Sequence, residues 1–268
     1  MKKLFLSATS LMVLFAACSK DDDNAPQTNK KYVLSIAYSS DSLEISYDDN
    51  NRMKKIRDWY LEQDYIDSSE LVYENGKLTK LTSNNSEGVM KLSQSFEYNN
   101  AGKLMRANSY NSIGERHNYD SLVYNNDGRL VALYEAAADG YMRKHNYTWD
   151  SKGNIVSSVR INIAEGVETK DSAFTVYTYD SKVNFGSRQP EFFTLEPKEP
   201  ASWLSANNLV KSVETNNTDR SYAMTVTNEY TYDADGYPVT RKELEKSVRG
   251  EEVVYSHEDT FRYRYIMK

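Results

Sequence analysis

A short phrase led by an aromatic residue recurs along the chain about every 25 residues. A glycine usually follows the aromatic residue four positions later, and an aliphatic residue comes two positions after that glycine. The clearest copies span 98–104, 124–130 and 149–155. Because one such unit cannot bury an apolar face alone, the repeat predicts that each copy packs against its neighbours. The leading residues are Tyr47, Tyr73, Tyr98, Tyr124, Trp149, Tyr179 and Tyr232.

The residues on both sides of the phrase alternate between apolar and polar, which is typical of strands with one buried face. Residues 92–98 and 222–232 show this before the turn, and the odd positions of 155–163 share one apolar face after it. A second, more variable loop then returns the chain. Two strands and two turns per copy predict about fourteen strands in meander order.

The phrase itself predicts a tight turn. Glycine adopts positive φ without steric cost, which suits a type I turn that ends in a left-handed residue and a bulge. Asp or Asn after the aromatic residue can accept hydrogen bonds from nearby amides. The copy at Asn75-Gly76 is one residue shorter and predicts a two-residue type I′ hairpin, and Asn51 takes the glycine position in the first copy.

These patterns predict an all-β protein, an antiparallel meander of β-hairpin repeats that forms a long, twisted or partly curled sheet. A closed β-barrel is the alternative, since closure removes the exposed edges. An outer-membrane barrel is not expected, because Lys, Asp and Glu interrupt the face that lipid would require to be apolar.

The N-terminus has the features of an export signal over residues 1–17. Two lysines precede an apolar stretch, 4–15, that is too short to span a bilayer, and two alanines and Cys18 follow it. This segment resembles a lipobox, which implies cleavage before Cys18 and acylation of its thiol and amino group, and several acyl chains anchor a protein stably. The alternative is an ordinary signal peptide cut after Ala17.

Residues 18–31 are polar and lack apolar periodicity, which predicts a flexible, lipidated tether. The serine and three aspartates after Cys18 resemble the surface-export signal of Bacteroides-type lipoproteins. That resemblance implies an outer-membrane protein anchored on the cell surface; the periplasmic face is the alternative. The remainder, 32–268, is predicted to form a single β-repeat domain with a non-repeat insertion at about 185–208.

The repeated phrase resembles the tyrosine–aspartate (YD) repeats of Rhs and teneurin shells, which implies strands in a spiralling sheet. Repeats that end in the break at 179–185 and continue with 205–211 are more similar to a family of Bacteroides-type surface lipoproteins that has no assigned activity. The resemblance therefore implies a β-sheet fold and an envelope location, and it transfers no catalytic residue.

Charge and cysteine content narrow the classes of partner. The net charge is −6, which becomes about −8 without the two signal lysines. Nucleic acid is therefore not an expected partner. Since the single cysteine is Cys18, no disulfide is predicted, and stability must come from strand pairing and apolar burial.

The sequence contains no recognisable catalytic or metal-binding pattern. His117, His145 and His257 are not at metal-ligand spacing, so neither a metal site nor a cofactor is predicted, and we expect solvated or edge-strand histidines. No nucleophile elbow or phosphate-binding glycine loop occurs. The chain is therefore predicted not to be an enzyme. A glycosidase pair in the return loops is conceivable, but solvation explains these carboxylates equally well: Asp139, Glu165, Glu168, Glu251 and Glu252.

The insertion and three Asp-Ser pairs are the remaining candidate sites. Apolar residues of the insertion either cover the core or form a ligand platform of Phe192, Phe193 and Trp203. The Asp-Ser pairs resemble O-glycosylation acceptors of Bacteroides-type proteins, although Asp-Ser can also end a loop by bonding backbone amides. Their serines are Ser42, Ser121 and Ser172.

The sequence therefore predicts an outer-membrane-anchored surface lipoprotein that acts as a binding module for a glycan or protein partner. Tyrosine and tryptophan suit sugar faces, because they combine flat apolar area with a polar edge. A structural envelope scaffold is the alternative, and a glycan-cleaving enzyme is the weaker one. The membrane, through Cys18, is the one partner that the sequence specifies.

Overall fold

The structure is a computed structural model that describes residues 30–60, 65–84, 88–137 and 139–268. Most of the described chain is β-strand, and its helices lie close together in sequence: a 3₁₀ helix at Gly186–Arg188, α1 at Pro190–Leu195 and α2 at Pro200–Trp203. The strands are β1 (Lys31–Ala37), β2 (Asp41–Tyr47), β3 (Met53–Tyr60), β4 (Tyr65–Glu74), β5 (Lys77–Asn84), β6 (Met90–Tyr98), β7 (Leu104–Tyr110), β8 (Arg116–Tyr124), β9 (Leu130–Ala137), β10 (Met142–Trp149), β11 (Ile155–Ala164), β12 (Val167–Val183), β13 (Asn207–Asn216), β14 (Tyr222–Tyr232), β15 (Pro238–Arg249) and β16 (Glu252–Met267).

The sixteen strands form a closed antiparallel barrel in which each strand pairs with its neighbours in sequence. Closure comes from β1 and β16, where Lys31 lies opposite Met267 and Ala37 lies opposite Arg262. The predicted all-β meander is confirmed, and the closed barrel that we gave as the alternative is correct in place of an open sheet. The estimate of fourteen strands was too low, because β1 and β16 lie outside the seven copies of the phrase.

The predicted turn geometry is confirmed. The Asn99 side chain accepts a hydrogen bond from the amide of Lys103 at 2.9 Å, and the glycines of the longer copies have φ between 74° and 88°. Asn51 takes the same left-handed conformation with φ of 60°. In the shorter copy both Asn75 and Gly76 have positive φ, as a type I′ turn requires.

In four copies, the leading aromatic residue hydrogen-bonds its copy of the phrase to the copy before it. The Tyr98 hydroxyl donates to the carbonyl of Leu78 at 2.8 Å, across about 20 residues of chain. The accepting residue is the buried aliphatic residue of the preceding copy, so a single contact fixes the spacing of successive turns. The same contact joins Tyr73 to Met53, Trp149 to Leu130 and Tyr179 to Ile155.

The aliphatic residues of the phrase form a buried belt inside one end of the barrel. They include Leu104, which is 4% exposed, and Leu130, which is 1% exposed. On β11 the belt residue is Ile155, and a β-bulge follows it. The pairing of β11 with β10 passes directly from Ile155 to Ser157. Side chains after the bulge therefore change faces.

This bulge corrects one sequence prediction. Ile155 is buried, but Val159 lies opposite Phe174, whose side chain is 45% exposed on the outer face. The odd positions of 155–163 therefore do not share one apolar face. Instead Arg160 points inward, in the row that contains Ala173 and His145.

The outer face of the wall carries charged pairs between neighbouring strands. Lys242 contacts Glu258 at 3.0 Å, with both side chains about half exposed. On the neighbouring strands β2 and β3, Arg57 lies 3.9 Å from Glu44. Since these pairs lie within the strands and away from the turns, the outer surface is charged at mid-wall as well as at its ends.

Candidate functional site

Residues 184–206, called the plug here, fill the end of the barrel that carries the repeat turns. Phe192 and Phe193 are 8% and 7% exposed and belong to the same core as the belt. The ring of Phe192 stacks on Trp203 at 4.8 Å between centroids. Phe185 packs against Tyr263 of the wall at 5.2 Å. The insertion therefore continues the core across the lumen.

Polar side chains fix the plug to β1, β2 and β4, which lie on one side of the barrel. Gln189 accepts a hydrogen bond from the amide of Val33 at 3.2 Å and donates to the Tyr47 hydroxyl at 2.8 Å. Glu191 accepts from the Tyr73 hydroxyl at 3.2 Å. Because these contacts use side chains of the plug to satisfy groups of the wall, the plug has one defined position.

A charged cluster holds the plug to the opposite wall. Lys198 of the plug lies 3.3 Å from Glu135 and 3.7 Å from Asp120, and Glu135 also contacts His145 at 2.5 Å. Burial raises the pKa of Asp120 to about 6 despite the nearby Lys198. Burial also favours the neutral form of Glu135, but the hydrogen bond to His145 and the charges of His145 and Lys198 outweigh it and lower the pKa of Glu135 to about 2.

Two carboxyls with such different pKa values are the arrangement that an acid–base pair uses. Here, however, Lys198 contacts both Asp120 and Glu135, and neither carboxyl lines the neighbouring cavity. The cluster therefore attaches the plug to β8 and β9.

A cavity of about 440 Å³ lies between the plug and the wall formed by β1, β2 and β13–β16. This volume is in the range of small-molecule sites. Most of its lining is apolar, and its charged side chains are Glu199, Arg241 and Glu243. Arg241 lies 3.3 Å from Glu243, and its guanidinium carbon lies 3.9 Å from the centre of the Phe261 ring.

Three of the six buried side-chain polar atoms without partners among the described residues belong to side chains that line this cavity. The side chains of Trp203, Asn228 and Arg241 each line it, and each has one buried nitrogen or oxygen with no hydrogen-bond partner among the described residues. Buried polar groups are normally satisfied, and exceptions tend to occur at functional sites. The cavity is therefore the strongest candidate site in the described part of the chain.

A second cavity, of about 410 Å³, lies on the other side of the plug, among the repeat turns. Gly102 and Gly128 of the turns and Pro190 and Phe193 of the plug line it. Trp203 lines both cavities, so it separates the turn end from the lumen. The described charged side chains that line this second cavity are Lys103 and Arg129.

The residues of the predicted ligand platform have different positions. Phe192 and Phe193 are buried in the core, and Trp203 lines the cavity. The predicted glycosylation sites Ser42, Ser121 and Ser172 lie on three separate strands, β2, β8 and β12. Cys18 lies outside the described residues.

Two interpretations of polar residues need correction. His145 is not a solvated histidine, because its side chain is 17% exposed and contacts Glu135 inside the barrel. Asp120 does not end a return loop, since it lies within β8 and faces the plug. Within the described ranges, no group of three or more His, Cys, Asp or Glu side chains could hold a metal ion.

Sequence reasoning missed the residues that define the site. Lys198 and Glu199 sit among prolines in a segment without periodicity, and Arg241 and Glu243 alternate on a strand that looks solvated. For β15, the sequence shows only that Arg241 and Glu243 lie two residues apart and therefore on the same face of the strand. Nothing local indicates that this face meets the plug.

The comparisons with known proteins concern the fold. No protein-family model matches the chain, and no curated protein matches it. A solved porin-like protein from Bacteroides uniformis is similar over 87% of this chain and 96% of its own, with 10% identity and a TM-score of 0.53. Another, from Bacteroides vulgatus, is similar over 88% and 99%, with 15% identity and a TM-score of 0.53. This likeness shows the fold, which is a closed antiparallel β-barrel.

The helices of the described residues are too short and too polar to form a transmembrane span.

Proposed function

We propose that this protein is an outer-membrane-anchored lipoprotein whose barrel holds a ligand in its lumen. The cavity between the plug and the wall carries this proposal, because it combines a ligand-sized volume, an apolar lining and uncompensated polar atoms. The binding module predicted from sequence is kept, but its site moves from the surface to the interior. Among the described residues, no comparable surface site supports binding of a protein partner.

A conducting pore is the function that the porin-like fold most readily suggests, and two observations argue against it. The plug crosses the lumen and shares its core with the wall. The outer face carries ion pairs such as Lys242–Glu258, where a membrane barrel presents an apolar band. Both observations support a barrel that stands in water and is held at the membrane by the lipid on Cys18.

Native mass spectrometry of the lipoprotein, extracted from its own cells in detergent, tests ligand binding. We expect an adduct on the wild-type protein and none on Val226→Phe, which fills the cavity. Val72→Phe, on the outer face where Val72 is 38% exposed, is the matched control and should keep the adduct. An adduct that survives Val226→Phe, or none on any form, would contradict a ligand in the lumen.

A structural envelope scaffold is the alternative, and the likeness to other envelope-type barrels favours it more than it favours binding. A scaffold needs the closed wall and the plug but not the cavity. It predicts that Val226→Phe leaves every cellular phenotype of the gene unchanged while raising stability. An enzyme is not proposed, since the acid–base arrangement at Asp120 and Glu135 is occupied by Lys198.

The cell surface is the proposed location, supported by the acidic segment after Cys18. Protease treatment of intact cells should remove the protein together with an outer-leaflet control. Resistance under those conditions would place it on the periplasmic face instead.

O-glycosylation of Ser42, Ser121 and Ser172 also remains a proposal, supported by their half-exposed positions within strands. The intact mass of the mature protein should exceed that of polypeptide plus lipid. Replacement of the three serines by alanine should remove the excess.

A further inference from the structure

The lining of the lumen cavity has an unbalanced charge. Its three charged side chains are Glu199, Glu243 and Arg241. The single cation of this lining, Arg241, contacts Glu243 at 3.3 Å and covers the ring of Phe261, and its buried Nε has no hydrogen-bond partner among the described residues. The Glu199 carboxyl therefore has no cationic partner among the side chains that line the cavity.

Glu199 has no hydrogen bond or ion pair from its side chain among the described residues. Its side chain is exposed and lines the cavity between the plug and the wall. Burial raises the pKa of Glu199, and the nearby charged groups that add to the shift are all carboxylates: Glu196, Glu243 and Glu135. The cavity therefore places an acidic group where no cation of the described residues contacts it, and a positive charge would be stabilised there.

The rest of the cavity suits an apolar body. Ile36, Leu43 and Val226 contribute aliphatic surface from three strands. Phe261 and Trp203 add aromatic rings, whose faces attract cations as well as apolar groups. An anionic head group would meet two carboxylates, and a neutral one would leave Glu199 without a counter-ion.

We propose that the lumen cavity binds a ligand that carries a protonated amine on an apolar body, with Glu199 as the counter-ion of the amine. This inference rests on the proposed function, since it names the class of ligand that the lumen holds. In this proposal Arg241 positions Glu243 and does not bind an anion.

Isothermal titration calorimetry of the full lipoprotein in detergent, with micelle blanks subtracted, separates the ligand classes. The probes are hexylamine, hexanol and hexanoate at neutral pH, which share one chain and differ in charge. We expect hexylamine to bind at least about tenfold more tightly than hexanol, and hexanoate to bind most weakly.

Two variants test the role of Glu199. Glu199→Gln keeps the shape of the side chain and should weaken hexylamine binding about tenfold without affecting hexanol. Glu251→Gln, the same change on an exposed return loop, should leave all three affinities unchanged. Thermal melts of both variants verify that they fold.

The possible failures are distinguishable. If hexanoate or hexanol binds as tightly as hexylamine, and Val226→Phe abolishes that binding, the lumen holds a ligand but the amine class is wrong. The same holds if Glu199→Gln does not weaken hexylamine binding. If no probe binds, the amine proposal fails, and the absence of an adduct in native mass spectrometry then overturns the ligand-holding function as well.

Discussion

The repeat turns and the plug occupy the same end of the barrel but are stabilised in different ways. A turn such as 98–104 is fixed by its own residues, through an asparagine that binds the following amides and a glycine with positive φ. The plug contains short helices and internal hydrogen bonds, but its position in the barrel depends on distant partners such as Val33 and Glu135.

This difference shows where the chain is free to acquire a function. A turn that every copy must repeat cannot change without disturbing its neighbours, since its tyrosine bonds the previous copy. The plug occurs once, and its contacts are made by individual side chains. The unbalanced charge and the unpartnered polar atoms accordingly lie beside the plug and not among the turns.

The largest expected effect tests whether the plug belongs to the core. Phe192→Ala should lower the free energy of unfolding by about 3 to 5 kcal/mol, because Phe192 is buried against Trp203. Urea denaturation of the mature protein measures it. Phe174→Ala, on the outer face, should cost under about 1 kcal/mol. Equal, small losses for both would mean that the plug is an appendage.

Glycine substitutions should separate steric fit in the plug from backbone conformation in the turns. A Cβ at Gly186 would lie 2.5 Å from the Trp203 ring, so Gly186→Ala should cost about 1 to 3 kcal/mol through a clash. At Gly102 the Cβ would approach only the flexible end of Lys77, but φ is 78°, so Gly102→Ala should cost about 1 to 2 kcal/mol through backbone strain.

A double-mutant cycle with Trp203→Leu distinguishes the two causes. The cost of Gly186→Ala should fall by about 1 kcal/mol or more in that background, and the cost of Gly102→Ala should not change. An unchanged cost at Gly186 would argue against close packing between the plug segments.

Local sequence determined the turns and the strand class, and it could not determine closure or the plug. Asn75-Gly76 and Asn99 specify their turns within a few residues, so their geometry was predictable. The pairing of β1 with β16 joins residues more than 200 positions apart, and no periodicity encodes it. Closure therefore had to remain an alternative.

The inward-facing charge on β11 and the candidate site were hidden for different physical reasons. The bulge after Ile155 exchanges the two faces of β11, so an apparently apolar face points outward and Arg160 points inward. The insertion could be recognised as unusual from Pro190 and Pro200, but its polar anchors look like ordinary solvated residues. The role of these polar anchors becomes evident only from their contacts with residues across the lumen.

The charged cluster should make stability depend on pH. Because the pKa of Asp120 is raised to about 6 in the folded protein, the folded state binds a proton between about pH 4 and 6 that the unfolded state does not. Asp120 should therefore raise the free energy of unfolding by about 1 kcal/mol as the pH falls from 7 to 5. The low pKa of Glu135 acts in the opposite sense, and its contribution is lost as the pH falls towards 2.

Urea denaturation at pH 7, 6 and 5 measures this dependence. Asp120→Asn should remove the increment that belongs to Asp120, leaving the smaller contributions of Glu196 and Glu199, whose pKa values burial also raises. Asp127→Asn, in an exposed repeat turn, should keep the wild-type profile. Parallel profiles for Asp120→Asn and the wild type would show that the cluster is hydrated.

The smallest expected effect concerns the hydrogen bonds between copies of the phrase. Tyr98→Phe should cost about 1 kcal/mol, since it removes the donor to the carbonyl of Leu78 and keeps the ring in the core. Tyr124 makes no such hydrogen bond among the described residues, so Tyr124→Phe is the matched control and should change the free energy of unfolding very little. If the two variants lose equal stability, ring packing and not the hydroxyl holds successive copies in register, and the turns would then depend on long-range packing as the plug does.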